Sequence, residues 1–279
     1  MRNVTPASDG EALPRPSLSP ADEDVEDAVS TPRLDRERAR ARTFARRHPV
    51  RTLLLRAAAG IFLFTFLQVL ILRWIPPFTS AFMLQRQIGL LLHGADPSLR
   101  HRWVGWREIP PSMRLAVVAA EDQTFPHHWG FDFRSIQDAA EDNADGRRVR
   151  GASTISQQVA KNLFLWSDRS WVRKGLEAYY TVLIELLWPK RRVLEVYLNV
   201  CEFGDRVYGV AAAADTFFQE PPSRITRHEA ALLAAVLPSP RRFRANRPSP
   251  YVERRAEWIE EQMAHLGPGY LVDLDSRRR

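Results

Sequence analysis

The spacing of hydrophobic positions along this chain changes several times, and each change marks an element. Ala57 to Leu72, AAAGIFLFTFLQVLIL, is an uncharged apolar run of 16 residues with Arg56 and Arg73 at its ends and Trp74 just beyond. Arginines that snorkel at both ends and an interfacial tryptophan extend such a run to the roughly 20 residues a bilayer needs, so residues 57–77 are predicted to be a transmembrane helix. Further on, apolar residues recur at helical spacing. Leu115 to Ala120 suits a buried helix that is opened by Pro110, Pro111 and Ser112 and ends before Pro126. Ile155, Val159 and Leu163 form one ridge, and Leu176, Tyr180, Leu183 and Leu187 form another. Trp188 and Pro189 break that pattern before a helix over Lys190 to Cys201, with Val193, Leu194, Tyr197 and Leu198 on adjacent ridges. Val210 to Phe218 reads as core, and Thr226 with Glu229 makes a capping box ahead of Ala230 to Leu237. Val252, Ala256, Ile259 and Met263 are in phase between Ser249-Pro250 and Gly267. Asp132 is expected to cap a helix reaching about Asn143, and 144–150 to be a mobile loop. No run alternates well enough to predict a strand, so the fold class is mostly α.

Composition adds the surroundings. The 279 residues, 45% hydrophobic, suffice for one sizeable domain with appendages. Residues 1–35 are rich in Pro, Ser, Asp and Glu and are read as a disordered tail. Arg36 to Arg56 holds eight arginines against one acid, Glu37, directly before the apolar run. That block assigns the preceding chain to the cytoplasm and everything after Pro76 to the far side of the membrane. The net charge of +7 therefore points to a membrane surface or a phosphate-bearing substrate, and not to nucleic acid. The expected organisation is a cytoplasmic tail (1–35), a basic juxtamembrane segment (36–56), the transmembrane helix (57–77), a membrane-proximal connector (78–109), the main domain (110–270) and a polar C-terminal tail (271–279). The connector is apolar at Phe78, Phe82 to Leu84, Ile88 and Leu90 to Leu92, which suits either a helix against lipid or ordinary core. The single Cys201 continues an apolar ridge and is expected to be packed.

The candidate chemistry lies between Glu121 and Glu177. Thr154, Gln158 and Lys161 recur at i, i+4 and i+7, so a hydroxyl, an amide and an ammonium share one helical face; Arg173, Glu177 and Thr181 make a second polar row. Neither row is required to be buried, and two ordinary solvated faces would show the same pattern. Only three of the 40 cationic residues are lysines, Lys161, Lys174 and Lys190, which marks them as places where a compact charge is used in a chain that otherwise uses arginine. Glu121 and Asp122 stand at the C-terminal end of an apolar helix, where the helix dipole and the surroundings both raise a carboxyl pKa. Neighbouring helical residues point about 100° apart, so the two carboxylates cannot share one cleft. Glu121 is assigned the chemistry as general base, leaving Asp122 free to bond to the following loop.

Several stretches together resemble one family: EDQTFPHHWGFD, GASTISQQVAKNLFL, RKGLEAYY, KRRVLEVYLNVCEFGDRVYGVAAAADTFF and HEAALLAAVLPSP follow the order of motifs in the peptidoglycan glycosyltransferases, glycosyltransferase family 51. The resemblance covers most of residues 110–245 and implies a lysozyme-like helical fold. It implies Glu121 as general base with Asp122, Phe125 and His128 on the same motif, Thr154, Gln158 and Lys161 on the second, and Arg173 and Glu177 on the third. Glu121 and Glu177 are then the catalytic pair and the other seven bind substrate. Ala152 and Ser156 stand where the family more often has glycine and threonine, and neither change removes a charge. No SxxK or KTG box follows, so no transpeptidase activity is expected. The implied reaction is inverting polymerisation of lipid II into β-1,4 glycan with release of polyprenyl pyrophosphate. The implied partners are lipid II, the nascent glycan strand, inner-membrane lipid and cell-wall synthesis proteins. The implied location is the bacterial inner membrane, with the catalytic domain periplasmic. No cofactor is required and no metal site is expected, since no carboxylate cluster has ligand spacing, although Mg2+ at the pyrophosphate is compatible. Two rivals stand against this reading. A lysozyme-like hydrolase has a neutral leaving group that needs a proton more than two cations, and a non-catalytic anchored binder of anionic polymer needs no matched carboxylate.

Overall fold

The structure is a computed structural model and describes residues 49–133, 137, 153–168 and 170–276. The tail 1–35, most of the basic segment 36–56, the helix reaching Asn143 and the loop 144–150 lie outside the described residues. The chain forms two compact units, one ending at Leu63 and the other running from Phe64.

Helix α1 (Pro49–Leu72) is apolar and long enough to cross a membrane over Val50–Leu72. It starts eight residues before the apolar run and takes in Arg51 and Arg56, because a proline at the first helical position sets the start of a helix irrespective of where the hydrocarbon begins. Its end comes at Leu72, ahead of Pro76 and Pro77, short of the predicted residue 77. Helix α2 (Ala81–Leu92) follows, capped by Ser80, and leads to the two-residue strand β1 (Arg100–His101). Helix α3 (Pro111–Glu121) is the buried helix expected from Leu115 to Ala120. Helices α4 (Ile155–Phe164), α5 (Trp171–Leu187) and α6 (Lys190–Val200) come next, with Trp188 and Pro189 ending α5 as predicted.

Strands were not expected, yet β2 (Glu202–Gly204) and β3 (Val207–Tyr208) form a small sheet with β1 in the order β1-β3-β2. Strand β3 runs parallel to β1 and antiparallel to β2. At two or three residues each, these strands are too short for alternation to register in the sequence. Helices α7 (Val210–Phe218), α8 (Arg227–Val236) and α9 (Pro250–Leu266) complete the main body. The C-terminal segment is not merely a polar tail: α10 (Val272–Ser276) follows, and Leu271 and Leu274 are buried in the main core.

The core is one contiguous cluster in which α8 packs on α9 and α3, α9 packs on α3, and α4 packs on α5 and α6. The site therefore lies between two helix groups, α3/α8/α9 and α4/α5/α6. Helix ends leave carbonyls without partners, and here neighbouring side chains supply them. Trp188 Nε1 donates to Val69 O at 2.7 Å, Arg192 Nη2 donates to Leu72 O and Ile75 O at 2.9 Å each, and Arg73 Nη1 donates to Leu187 O at 2.6 Å. The ends of α1 and α5 are thus capped reciprocally.

Candidate active site

Glu121 is the last residue of α3, and its side chain is 16% exposed. Gln158 Nε2 donates to Glu121 Oε2 at 3.0 Å, and the Tyr197 hydroxyl donates to Gln158 Oε1 at 3.1 Å, so the carboxylate is oriented by a relay that ends in a buried tyrosine. Arg255 Nη2 of α9 lies 3.7 Å from Glu121 Oε1. Burial pushes the Glu121 carboxyl above its ordinary range; the Gln158 hydrogen bond and the charges of Arg255 and Lys161 pull the other way without reversing it, and Asp122 adds to the rise.

Four of the residues expected to bind substrate form a wall behind this carboxylate. Asp122 accepts the Ile155 N–H at the start of α4 at 2.9 Å, and accepts from His128 Nε2 at 2.9 and 3.0 Å. Gly130 N–H donates to His128 Nδ1 at 3.0 Å, so Nδ1 is unprotonated and the proton sits on Nε2, facing Asp122. Thr154 caps α4: its hydroxyl donates to Gly130 O at 2.7 Å and accepts the Gln157 N–H at 3.3 Å, while Gln157 Oε1 accepts the Thr154 N–H at 3.0 Å. Phe125 is fully buried beneath the Lys190 ammonium, 4.6 Å from the ring centre. With their polar groups engaged and almost no surface exposed, Asp122, Phe125, His128 and Thr154 hold α3 and α4 in register and offer a substrate little to touch. Gly130 is required here by backbone and space together, with φ +79° and no room for a Cβ beside Thr181 and Glu185.

Gln158, Lys161 and Arg173 are all half-buried and so keep some exposed surface. Lys161 lies 5.6 Å from the Phe82 ring centre, and burial lowers the pKa of its ammonium. Glu177, Arg173, Glu121 and Lys174 all act on it electrostatically. Glu177 is buried and accepts from Arg173 Nη1 at 2.6 Å and from Lys174 Nζ at 2.5 Å. Arg173 Nε and Arg255 Nε are buried with no hydrogen-bond partner among the described residues. A buried donor left unpaired costs free energy that an incoming oxyanion would recover.

The site also contains residues that sequence reasoning missed. Arg255 sits 134 positions from Glu121 beside another arginine, and nothing local distinguishes the two. Tyr197 was read as an apolar ridge member, although a buried phenol needs a partner and that need was a usable signal. Ser156, Glu185 and Lys190 form a second buried cluster behind the wall, in which Ser156 and Lys190 both bond to Glu185 Oε1, Lys190 at 2.8 Å. Burial lowers the pKa of Lys190, which the sequence marks as one of three lysines without assigning it to the site. Among the described residues no three His, Cys, Asp or Glu side chains converge on a metal site.

Comparison with known proteins gives the family. A family model described as Transglycosylase matches residues 90–264. The chain is 55% identical over 248 residues to a biosynthetic peptidoglycan transglycosylase of Xanthomonas campestris pv. campestris (strain B100), covering 87% of this chain and 99% of that protein. Proteins of the same name from Pseudomonas putida (strain W619) and Pseudomonas entomophila (strain L48) are 51% identical over 232 residues and 53% identical over 212. These matches cover 82% and 76% of this chain and 98% and 90% of the relatives. With the match spanning more than half of its length and every element that builds the site, this chain belongs to the transglycosylase family.

Proposed function

We propose that the protein is a peptidoglycan glycosyltransferase that polymerises lipid II, anchored in the bacterial inner membrane by α1 with its N-terminus in the cytoplasm and the rest of the chain periplasmic. The observation that carries the reading is that α4 carries both Gln158, bonded to Glu121, and Lys161, one turn on, while α5 packed against it carries the Arg173–Glu177 pair. Glu121 takes the proton of the acceptor sugar 4-hydroxyl as that oxygen bonds to the anomeric carbon of the donor, and the bond from that carbon to the pyrophosphate breaks. A carboxyl raised by burial is suited to this task near neutral pH. The leaving pyrophosphate gains negative charge that Lys161 and Arg173 stabilise, and the unpaired Arg173 Nε supplies a donor that is satisfied only when the anion arrives. Mg2+ at the pyrophosphate would act on the same charge. Glu177, bonded to Arg173 and Lys174, orients these cations. A single displacement inverts the anomeric centre, so an α-linked donor yields β-1,4 glycan. No transpeptidase step belongs to this proposal.

The test is incubation of the purified full chain with labelled lipid II. Glycan polymer and free polyprenyl pyrophosphate are expected, formed about 10²- to 10⁴-fold more slowly by Glu121→Gln; lipid II left unpolymerised by the parent protein would refute the proposal.

A further inference from the structure

The catalytic residues leave one feature of the molecule unused. A cavity of about 460 Å³ opens between the small sheet, α7 and the segment leading to α9, and it is lined by Arg100, Arg206, Arg241 and Arg244 with Phe217 and Phe243. None of the residues placed around Glu121 lines it. At about 30 Å³ per water in the liquid, it has room for a polar headgroup and not only a small ion.

Its charges do not cancel. Asp205 takes Arg86 Nη2 at 2.6 Å and lies 3.9 Å from Arg206 Nε, and Glu202 takes Arg241 Nε at 3.0 Å. Arg100 Nη1 donates only to a neutral oxygen, Thr216 Oγ1, at 3.2 Å, and Arg244 has no ion pair among the described residues. Arg100 and Arg244 are therefore uncompensated cations at the mouth of a cavity with aromatic walls.

The surroundings identify what would fill it. Helix α2 turns Met83 and Leu90 into the core and leaves Leu84, Ile88, Leu91 and Leu92 exposed, a single apolar stripe at i, i+4, i+7 and i+8. The stripe begins twelve residues after the end of the membrane-crossing helix, and Trp74, Ile75 and Phe78 between them are exposed as well. An apolar stripe this close in sequence to a span is covered by lipid when it lies in the interface plane. Arg86 on α2 clamps Asp205 of the cavity wall, and the segment after α2 leads directly into Arg100. The cationic cavity is thus tied to the face of α2 opposite the apolar stripe, as headgroup depth lies above acyl depth for a helix in the interface plane.

We propose that this cavity binds the phosphate of an anionic phospholipid headgroup, with α2 lying in the membrane surface. Arg100 and Arg244 meet the phosphate, and Phe217 and Phe243 cover its glycerol. The site would hold the domain at a fixed height and orientation over the substrate-bearing leaflet, and it does not depend on the polymerase chemistry.

Calorimetric titration of the detergent-solubilised full chain tests this, using short-chain phosphatidylglycerol, short-chain phosphatidylcholine, inorganic phosphate and a soluble muramyl peptide as probes. Phosphatidylglycerol is expected to bind in a salt-sensitive manner and more tightly than the other three. Arg244→Ala is expected to weaken it on the order of tenfold, about 1.4 kcal/mol, in line with one cation at a membrane surface. Arg100→Ala is expected to act similarly, and Arg244→Glu more strongly; thermal unfolding verifies that each variant is folded. Equal binding of phosphatidylcholine, inorganic phosphate as tight as phosphatidylglycerol, tighter binding of the muramyl peptide, or unchanged affinity in folded variants would each overturn the proposal.

Discussion

At the scale of single residues, Glu121 is held against its own comfort. Its folded pKa lies above its unfolded one, so the folded state binds this proton more tightly than the unfolded state does. Stability from this group is complete below the ordinary carboxylate range and is lost as pH rises through the raised value. Glu121→Gln is therefore expected to lower kcat by about 10²- to 10⁴-fold, the usual share of a general base, while raising the unfolding temperature at neutral pH and leaving it unchanged in acid. Calorimetric unfolding scans at two pH values, alongside the polymerisation assay, measure both effects. On the proposed mechanism activity is expected to be lost in acid as Glu121 becomes protonated, and its neighbours are expected to set where that limb falls. Arg255→Gln removes a cation that lowers the Glu121 pKa, so the acid limb moves to higher pH; Asp122→Asn removes a charge that raises it, so the limb moves lower. Rate against pH for the two variants, read as opposite displacements, checks this assignment.

At the scale of elements, α4 and α5 show how far helical periodicity can be trusted. Ile155, Val159 and Leu163 are buried as their spacing predicts. On α5 the expected ridge is only partly covered: Leu183 is buried, Tyr180 and Leu187 are half-buried and Leu176 is exposed, whereas Glu177 and Thr181 of the polar row, whose burial the pattern left open, are buried. The polar row is satisfied within α5 itself, by the Arg173 and Lys174 pairs to Glu177 and the Thr181 bond to Glu177 O, and periodicity records only that two faces differ. The start of α4 depends on the Asp122 carboxylate at the Ile155 N–H and on the Thr154 cap. Thr154→Val is expected to cost about 1 kcal/mol as a lost cap, and Asp122→Ala about 1–3 kcal/mol through the unpaired His128 and Ile155 N–H. Urea denaturation monitored by circular dichroism measures both; a cost near zero for Asp122→Ala would show that the wall is not what sets α4.

At the scale of the whole molecule, the end of the membrane helix is also part of the second unit's fold. Trp188 and Arg192, both buried, donate to carbonyls of Val69, Leu72 and Ile75. A chain beginning at residue 76 loses these acceptors, whereas one beginning at residue 64 keeps them. The shorter protein is expected to unfold several degrees lower in detergent, at roughly 2–4 °C per kcal/mol for a unit of this size. Equal unfolding temperatures would show that the caps contribute nothing.

The sequence by itself determined the helical class, most helix boundaries and the apolar run of α1, and it singled out Glu121 as the candidate base, because each depends on local signals: period, caps, prolines and an apolar run. Motif order added the carboxylate and cation pairs. Only tertiary structure decided that Asp122, His128 and Thr154 face inward as a wall, that Glu177 is buried, that Arg255 reaches Glu121 from a helix 134 positions away, and that three minimal strands shape an arginine-lined cavity. Those outcomes depend on which faces of distant elements meet, and a pattern read along one chain holds the period of a face but not the partner it finds.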